Sequence, residues 1–241
     1  MSNLTIVILA AGEGKRMNST IPKVLHKFDS VPMLVRIIKT VKTINPNKIL
    51  IVTGKYEDLI KQTISEYIEM DNIFFIKQQV AMGTGDAVRS CVSHFDPDDN
   101  ILILNGDTPL ITSDILRQFT KKSSPANIIV ARINNPHGYG RIIYDEFNHF
   151  KEIIEEKECD DKQKKINIIN SGIYLIKGLL LIKFAPLIEC DNSQKEYYLT
   201  DIFKLIKTNT NEIIRTYLLE DGETKYIRGA NTQEELASLY D

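Results

Sequence analysis

The sequence has few cysteines, no excess of basic charge and no long apolar run, and each shortage narrows the choices. Its three cysteines, Cys91, Cys159 and Cys190, are scattered without a CxxC pair or a neighbouring histidine cluster. That excludes a disulfide framework and a zinc site, and points to free thiols in a reducing cytoplasm. No uncharged apolar run approaches the ~18 residues that span a bilayer, and Lys177 and Lys183 interrupt the best candidate. The start of the chain lacks a basic region and cleavage site, and Thr5 to Ala11 is too short for a secretory leader. Lys and Arg number 30 against 32 Asp and Glu, a net charge of −2. No basic field therefore draws in nucleic acid or an anionic membrane, and any phosphate must be met by a local site. With 43% hydrophobic and 26% charged residues, the 241-residue chain builds a sizeable core. Its length is worth about 1.6 average domains. With no Pro/Ser-rich linker, residues 1–241 read as one continuous domain with two lobes.

Thr5 to Ala10 is a continuous apolar run, as expected of a strand buried on both faces. Leu34, Ile37, Ile38, Val41 and Ile44 recur at helical spacing. Lys48 to Val52, Ile73 to Ile76, Ile101 to Leu104 and Ile128 to Val130 read as further strands. Leu59 to Ile68, Asp86 to Val92 and Asp114 to Phe119 read as helices between them. This alternation predicts an α/β fold: a mostly parallel, Rossmann-like sheet with helices on both faces. After Pro136, Tyr139 to Tyr144, Phe150 to Ile154 and Ile168 to Ile176 are strand-like and close together. They predict a smaller antiparallel β lobe or an extension of the sheet. The charged stretch Glu155 to Lys165 reads as a solvated loop with a short helix. Leu199 to Ile206 and Gln233 to Leu239 read as helices and Ile213 to Leu218 as a strand, with no hexapeptide ladder anywhere.

The strongest local feature is Leu9-Ala10-Ala11-Gly12-Glu13-Gly14-Lys15-Arg16-Met17, directly after the first strand. Small residues there let successive N–H groups approach an anion, and open α/β sheets bind ligands at the carboxyl ends of strands. Leu9 and Arg16 break the Walker pattern, and Met17 replaces the third glycine of a dinucleotide fingerprint. Lys23 comes a short way on. Asn105-Gly106-Asp107 ends another strand, where a carboxylate is placed for a divalent cation or a plain turn. Met82-Gly83-Thr84-Gly85-Asp86 comes after Gln78 and opens a helix, with Thr84 set either to meet a ligand or to cap it. Tyr197-Tyr198-Leu199-Thr200-Asp201 reads as core aromatics with a Thr or Asp cap, and Gly138-Tyr139-Gly140-Arg141 as a hairpin or a backbone-contact site. None of His26, His94, His137 or His149 has metal spacing or a nucleophile partner.

Taken in order, these motifs resemble the sugar-phosphate nucleotidyltransferases. The likeness is strongest to the uridyltransferase half of the bacterial bifunctional enzymes that make UDP-N-acetylglucosamine. It runs from Leu9 to Gly12 and Arg16-Met17 through Pro22-Lys23-Val24-Leu25-His26, Gln78, Gly83-Thr84-Gly85, Gly106-Asp107 and Gly138 to Ile142. It continues through Glu155, Asn170 with Gly172-Ile173, Glu196-Tyr197-Tyr198 with Thr200-Asp201, and Asn231. The resemblance implies transfer of a uridylyl group from UTP to N-acetylglucosamine 1-phosphate, with pyrophosphate released. Leu9, Ala10, Ala11 and Gly12 would hold the nucleotide, with Gln78, Gly83 and Thr84 around the uracil. Arg16 and Lys23 would be catalytic, holding triphosphate oxygens. Asn105, Gly106 and Asp107 would line the substrate site, and Gly140, Glu155 and Asn170 the sugar pocket. Asp107 and Asn231 would bind Mg²⁺. The nucleotide part would span about 1–135 and the sugar part about 136–241. Glu13 and Lys15 depart from the family pattern in the loop that meets the triphosphate, and Asn105 stands where the family often has an aromatic beside the sugar. Another sugar phosphate or nucleotide (glucose-1-phosphate or CTP type) stays open, a difference that would lie at Gln78 and Asn105, as does a silent regulatory subunit. A homo-oligomer is compatible with the resemblance, and the acetyltransferase would be a separate protein.

Overall fold

A computed structural model describes residues 3–240; the side chain of Lys15 lies outside the described set. In chain order the elements are β1 (Leu4–Leu9), β2 (Lys27–Phe28), β3 (Val31–Pro32), α1 (Met33–Lys42), β4 (Lys48–Thr53), α2 (Glu57–Ser65), β5 (Ile73–Lys77), α3 (Thr84–Arg89) and β6 (Asn100–Asn105). Next come α4 (Ser113–Thr120), β7 (Ala126–Arg132), β8 (Arg141–Tyr144), β9 (Phe150–Ile154), β10 (Ile168–Lys177), α5 (Gly178–Phe184), α6 (Asp201–Asn209), β11 (Ile214–Leu218) and α7 (Gln233–Ala237).

One sheet carries most of the strands in the order β11-β7-β10-β6-β1-β4-β5. β1 pairs in parallel with β4 and β6, β4 with β5, and β7 with β11. β10 is antiparallel to both β6 and β7, so it alone reverses the path. β8 and β9 form an antiparallel hairpin attached through β10, which is the smaller β lobe. The expected α/β class with a mostly parallel sheet is therefore the observed one, and the second half of the chain extends the sheet. Because the six co-directional strands end at one edge, the loops after Leu9, Thr53, Lys77 and Asn105 gather there. The start of β10 meets the same edge.

Burial keeps the two-residue period of a strand. Ile6, Ile8, Ile49, Ile51, Leu102 and Leu104 face one core, packed with Leu34, Ile37 and Ile38 of α1, Ile60 of α2 and Phe119 of α4. Their neighbours Val7, Leu50, Val52, Ile101 and Ile103 face the other, packed with Val88 of α3, Leu180 and Phe184 of α5, and Phe203 and Ile206 of α6. Each such side chain contributes about 1.5–3 kcal/mol by leaving water. This two-sided burial is why the strands read as unbroken apolar runs.

Two features go beyond the sequence reading. The Leu179 to Ile182 run lies in helix α5, which the sequence does not signal, because a short continuous apolar run carries no period to tell helix from strand. The hairpin of β2 and β3 is equally silent in the sequence, because two-residue strands have no pattern at all. That hairpin matters: Phe28 and Met33 pack with Ala230 and Leu239, holding the end of the chain against its beginning. The Phe28 and Tyr240 rings lie 4.4 Å apart, and Asp29 N–H donates to the Tyr240 hydroxyl at 2.9 Å. Among the described residues, no helix is long and apolar enough to cross a membrane.

Phe203 is fully buried, edge-on to Phe150 at 6.0 Å and beside Tyr174 at 5.2 Å. Phe203→Ala is expected to remove about 3–5 kcal/mol of stability. Urea unfolding checks this as a lower midpoint with unchanged slope.

Candidate active site

Three groups of side chains meet at the strand-end edge. The first is cationic. Lys23 enters from a short turn after Pro22, and its ammonium donates to the Asp107 carboxylate and to Asn231 Oδ1 at 3.0 Å. Arg16 Nη2 donates to the same Asn231 oxygen at 3.0 Å. The Lys23 and Asp107 side chains are only 17% and 15% exposed, so water screens their attraction weakly. Gly14 adopts φ +65°, and a Cβ there would lie 2.5 Å from the Lys23 Cβ. The glycine lets the loop lie directly against the lysine.

Backbone contacts fix the remaining geometry of this group. Ala10 N–H donates to Val52 O and Gly106 N–H to Leu9 O, both at 2.9 Å, which ties the Leu9 to Gly12 loop to β4 and β6. Ala11 is half-buried and Gly12 has open space around it, the arrangement a ligand needs for close approach. Glu13, one of the departures, pairs with Lys55 Nζ at 2.8 Å, so its charge is offset beside the loop. The side chain of Lys15, the second departure, lies outside the described set. At the other end of the chain, Ala230 N–H donates to Asp107 O at 3.2 Å and Gln233 Nε2 to Met17 O at 3.0 Å. The start of α7 holds Asn231 in place: Thr232 caps that helix by accepting from Glu235 N–H, and Glu235 Oε2 accepts from Asn231 N–H at 2.7 Å. The pattern Thr-x-x-Glu is a helix-start signal that marks this position.

The second group borders β5 and α3. Gln78 is 4% exposed and is anchored by its N–H to Thr53 O at 2.8 Å. Its Nε2 donates to Gly83 O at 3.2 Å and to Asp86 Oδ2 at 2.7 Å. Thr84 does not cap α3; its hydroxyl accepts from Leu199 N–H at 3.1 Å. Gly85 N–H donates to Tyr197 O at 2.7 Å and Tyr197 N–H to Met82 O at 2.8 Å. The Tyr197–Leu199 stretch is thus laced to the 82–85 loop.

The third group surrounds a break in β10. Pairing with β7 shifts register between Asn170 and Tyr174, and Gly172 takes φ +77° within the break. Ser171 Oγ donates to Ile129 O at 2.7 Å, closing the bulge. A Cβ on Gly172 would fall 2.3 Å from Asn105 Nδ2, so the bulge sits directly beside Asn105. Asn170 N–H donates to Gly140 O at 2.8 Å and its Nδ2 to the Tyr174 hydroxyl at 2.6 Å. A Cβ on Gly140 would be 3.5 Å from Glu155 Oε2. Thr200, at the start of α6, gives no cap and instead donates to Glu155 Oε1 at 2.8 Å. Burial pushes the Glu155 carboxyl above the usual carboxylate range; the Thr200 hydrogen bond opposes this and Asp201 adds to it.

Every residue named from sequence as a candidate lies in one of these three groups. Arg16 and Lys23 both donate to Asn231, and Lys23 donates to Asp107 as well; Leu9, Ala10, Ala11, Gly12 and Gly106 form the loop edge beside them. Gln78, Gly83 and Thr84 form the second group, and Asn105, Gly140, Glu155 and Asn170 the third. The charged stretch after β9 departs from a simple solvated loop. Glu156 pairs with the buried Arg141 at 2.7 Å, and Arg141 also donates to the carbonyls of Tyr139 and Lys164. Sequence reading missed the partners that hold the candidates: Asp86 under Gln78, Thr200 on Glu155, and Gly172 against Asn105. The cap reading hid Thr200, since a Thr before an apolar helix is normally spent on the helix end.

The sequence profile of the MobA-like NTP transferase domain matches residues 6–168. A "Probable UDP-N-acetylglucosamine pyrophosphorylase" of Acanthamoeba polyphaga mimivirus is 42% identical over 239 residues, covering 97% of this chain and 93% of that protein. The "Bifunctional protein GlmU" of Francisella tularensis subsp. novicida (strain U112) is 39% identical over 238 residues. That match covers 98% of this chain and 50% of GlmU, so the chain spans about half of that relative's length. A candidate glucose-1-phosphate thymidylyltransferase of Bacillus anthracis, solved with a sucrose, shares the fold at a TM-score of 0.73 and 20% identity, covering 99% of this chain and 96% of that one.

Glu155 has a measurable consequence for stability. A carboxyl raised in the folded state adds stability below its unfolded pKa of about 4.3, and that stability is lost as pH rises through the folded value. Glu155→Gln removes the titration. The variant is therefore expected to gain on the wild type as pH rises above the ordinary carboxylate range of about 4.3, read from urea midpoints at each pH. Parallel pH curves for the two proteins would overturn the assignment.

Proposed function

Because this chain belongs to the MobA-like NTP transferase family, we propose that it transfers the uridylyl group of UTP to N-acetylglucosamine 1-phosphate, forming UDP-N-acetylglucosamine and pyrophosphate. The observation that carries the reading is the meeting of Arg16, Lys23, Asp107 and Asn231 at the strand ends, the last two drawn from segments 84 and 208 residues from Lys23. The extent of the likeness to the mimivirus pyrophosphorylase supports the choice of substrates.

In this reading a phosphate oxygen of the sugar 1-phosphate attacks the α-phosphorus of UTP. The bond from that phosphorus to the bridging oxygen breaks, and pyrophosphate leaves with the electron pair. The attacking phosphate has a second pKa of roughly 6 and is mostly dianionic at neutral pH. No general base is then required, in keeping with a site assembled without histidine. What remains is to align two polyanions and offset the charge on the transferring and departing phosphates. Arg16 and Lys23 hold triphosphate oxygens, and the Leu9 to Gly12 backbone accepts the nucleotide. Gln78, Gly83 and Thr84 border the base, and Asn105, Gly140, Glu155 and Asn170 the sugar. The division into a nucleotide part at about 1–135 and a sugar part at about 136–241 belongs to the same proposal, with Asn231 crossing to the first.

Asp107 and Asn231 fit a hard divalent cation, since both already turn an oxygen toward one positive charge, the Lys23 ammonium. Two protein oxygens supplemented by water and phosphate form a donor set suited to Mg²⁺. When bound there, Mg²⁺ neutralises phosphate charge.

Pyrophosphate release tests the proposal, with UTP compared against CTP, dTTP, ATP and GTP, and N-acetylglucosamine 1-phosphate against glucose 1-phosphate. Preference for UTP with N-acetylglucosamine 1-phosphate is expected, abolished by EDTA and restored by Mg²⁺. Another preferred pair would move the specificity, and no turnover with any pair would leave a silent binding subunit. Lys23→Ala is expected to lower kcat/KM by about 10²–10³-fold while the melting temperature changes far less. Comparable turnover in the variant would sink the role given to Lys23.

A further inference from the structure

Gln78 can present either of two chemically opposite ends to a ligand, an amide donor or a carbonyl acceptor. Its surroundings decide which. Nε2 lies 2.7 Å from Asp86 Oδ2 and 3.2 Å from Gly83 O. A carboxylate and a peptide carbonyl only accept, so the flipped amide would set oxygen against oxygen at both contacts. The donor end is thereby committed to the protein. No donor among the described residues bonds to Oε1, which is the end left over.

Asp86 is itself held in place. Arg89 donates to its other carboxylate oxygen, Oδ1, one turn along α3. The guanidinium of Arg89 lies over the Tyr197 ring at 4.3 Å from its centroid. Tyr197 is in turn bonded through its backbone to Met82 and Gly85. A continuous set of contacts therefore runs from the Tyr197 ring through Arg89 and Asp86 to the Gln78 amide.

We infer that Asp86 is a specificity-positioning residue that fixes Gln78 with its carboxamide oxygen toward a pyrimidine base, selecting a ring whose N3 carries hydrogen. Uracil has that N3–H, whereas cytosine has an unprotonated N3 that repels an acceptor oxygen. Asp86 acts through Gln78 and touches neither the phosphates nor the sugar. The inference rests on the proposal that Gln78 borders the base.

Direct binding of UTP and CTP by calorimetry, together with steady-state kinetics, tests it on the intact chain. The wild type is expected to favour UTP at least about tenfold. Asp86→Ala is expected to lower the UTP:CTP ratio about tenfold, through KM more than kcat. Asp86→Glu, which keeps a carboxylate that can accept from Gln78 and Arg89 together, is expected to recover part of the ratio. Should Asp86→Ala fail to fold, Arg89→Gln frees Asp86 without removing its carboxylate, and an intermediate ratio is expected. An unchanged ratio in a folded Asp86→Ala or Arg89→Gln protein overturns the inference, as does a wild type that binds CTP as well as UTP. Turnover with UTP and CTP alike would overturn it and leave the transferase reading in place. Selective UTP binding that Asp86→Ala abolishes, in a wild type without turnover, would support it and overturn the transferase reading.

Discussion

An ammonium group held between a carboxylate and a carboxamide oxygen joins the first loop, the end of a central strand and the last segment of the chain. Lys23 reaches Asp107, 84 residues on, and Asn231, 208 residues on. Neither contact is local, so neither forms until β1 and β6 are paired and the end of the chain is docked. The register of Leu9 against Asn105 brings the first loop beside Asp107. The cluster of Phe28, Met33, Ala230 and Leu239 brings Asn231 to both. The site is therefore a readout of the whole fold, although the chemistry proposed for it rests on four side chains.

Strand direction explains why the other groups lie along the same edge. With β1, β4, β5 and β6 parallel, the loops leaving them emerge together, and the loop after a parallel strand is free of the ladder and open to a ligand. β10 runs the opposite way, and brings its start, with the bulge around Gly172, to Asn105. The stretch from Tyr197 to Thr200 then links two of the groups. Its backbone braces the 82–85 loop, and the hydroxyl of Thr200 holds Glu155. A displacement of this stretch reaches the 82–85 loop and Glu155 together.

How much was legible in the sequence depended on whether a signal was local. The strands buried on both faces announced themselves as apolar runs, and the positions of the loops after Leu9 and Asn105 came directly from where those strands stop. Asn231 carried no such signal in its own residue type; only the family resemblance nominated it, although Thr232 and Glu235 mark a helix start one position later. The cap reading of Thr200, and the cap alternative for Thr84, failed for a common physical reason. A hydroxyl beside a helix start normally caps it, but here each hydroxyl bonds elsewhere, to Leu199 N–H and to Glu155. Helix α5 and the β2–β3 hairpin were hidden because runs so short or so uniformly apolar have no period.

The arrangement also separates what the fold must keep rigid from what the chemistry must keep charged. Backbone hydrogen bonds from Ala10 and Gly106 fix the loop edge without using any side chain, so the positions of the N–H groups come from the sheet alone. The charges come from Arg16 and Lys23, which sit on short turns outside the sheet. Their partners, Asp107 and Asn231, are oxygen donors suited to a cation of either kind, an ammonium or a metal ion. A site built this way keeps its cations in place before any phosphate arrives, and the carboxylate that holds Lys23 limits repulsion between neighbouring positive charges. Arg16 shares Asn231 with Lys23, so two cations converge on one neutral oxygen, with the Asp107 carboxylate on Lys23 and the Glu235 carboxylate on the Asn231 N–H. Both cations stand at the strand ends, in a chain whose net charge is −2. The polyanion of the proposed reaction would be met at this edge by the placement of these cations, with no help from the charge of the whole molecule.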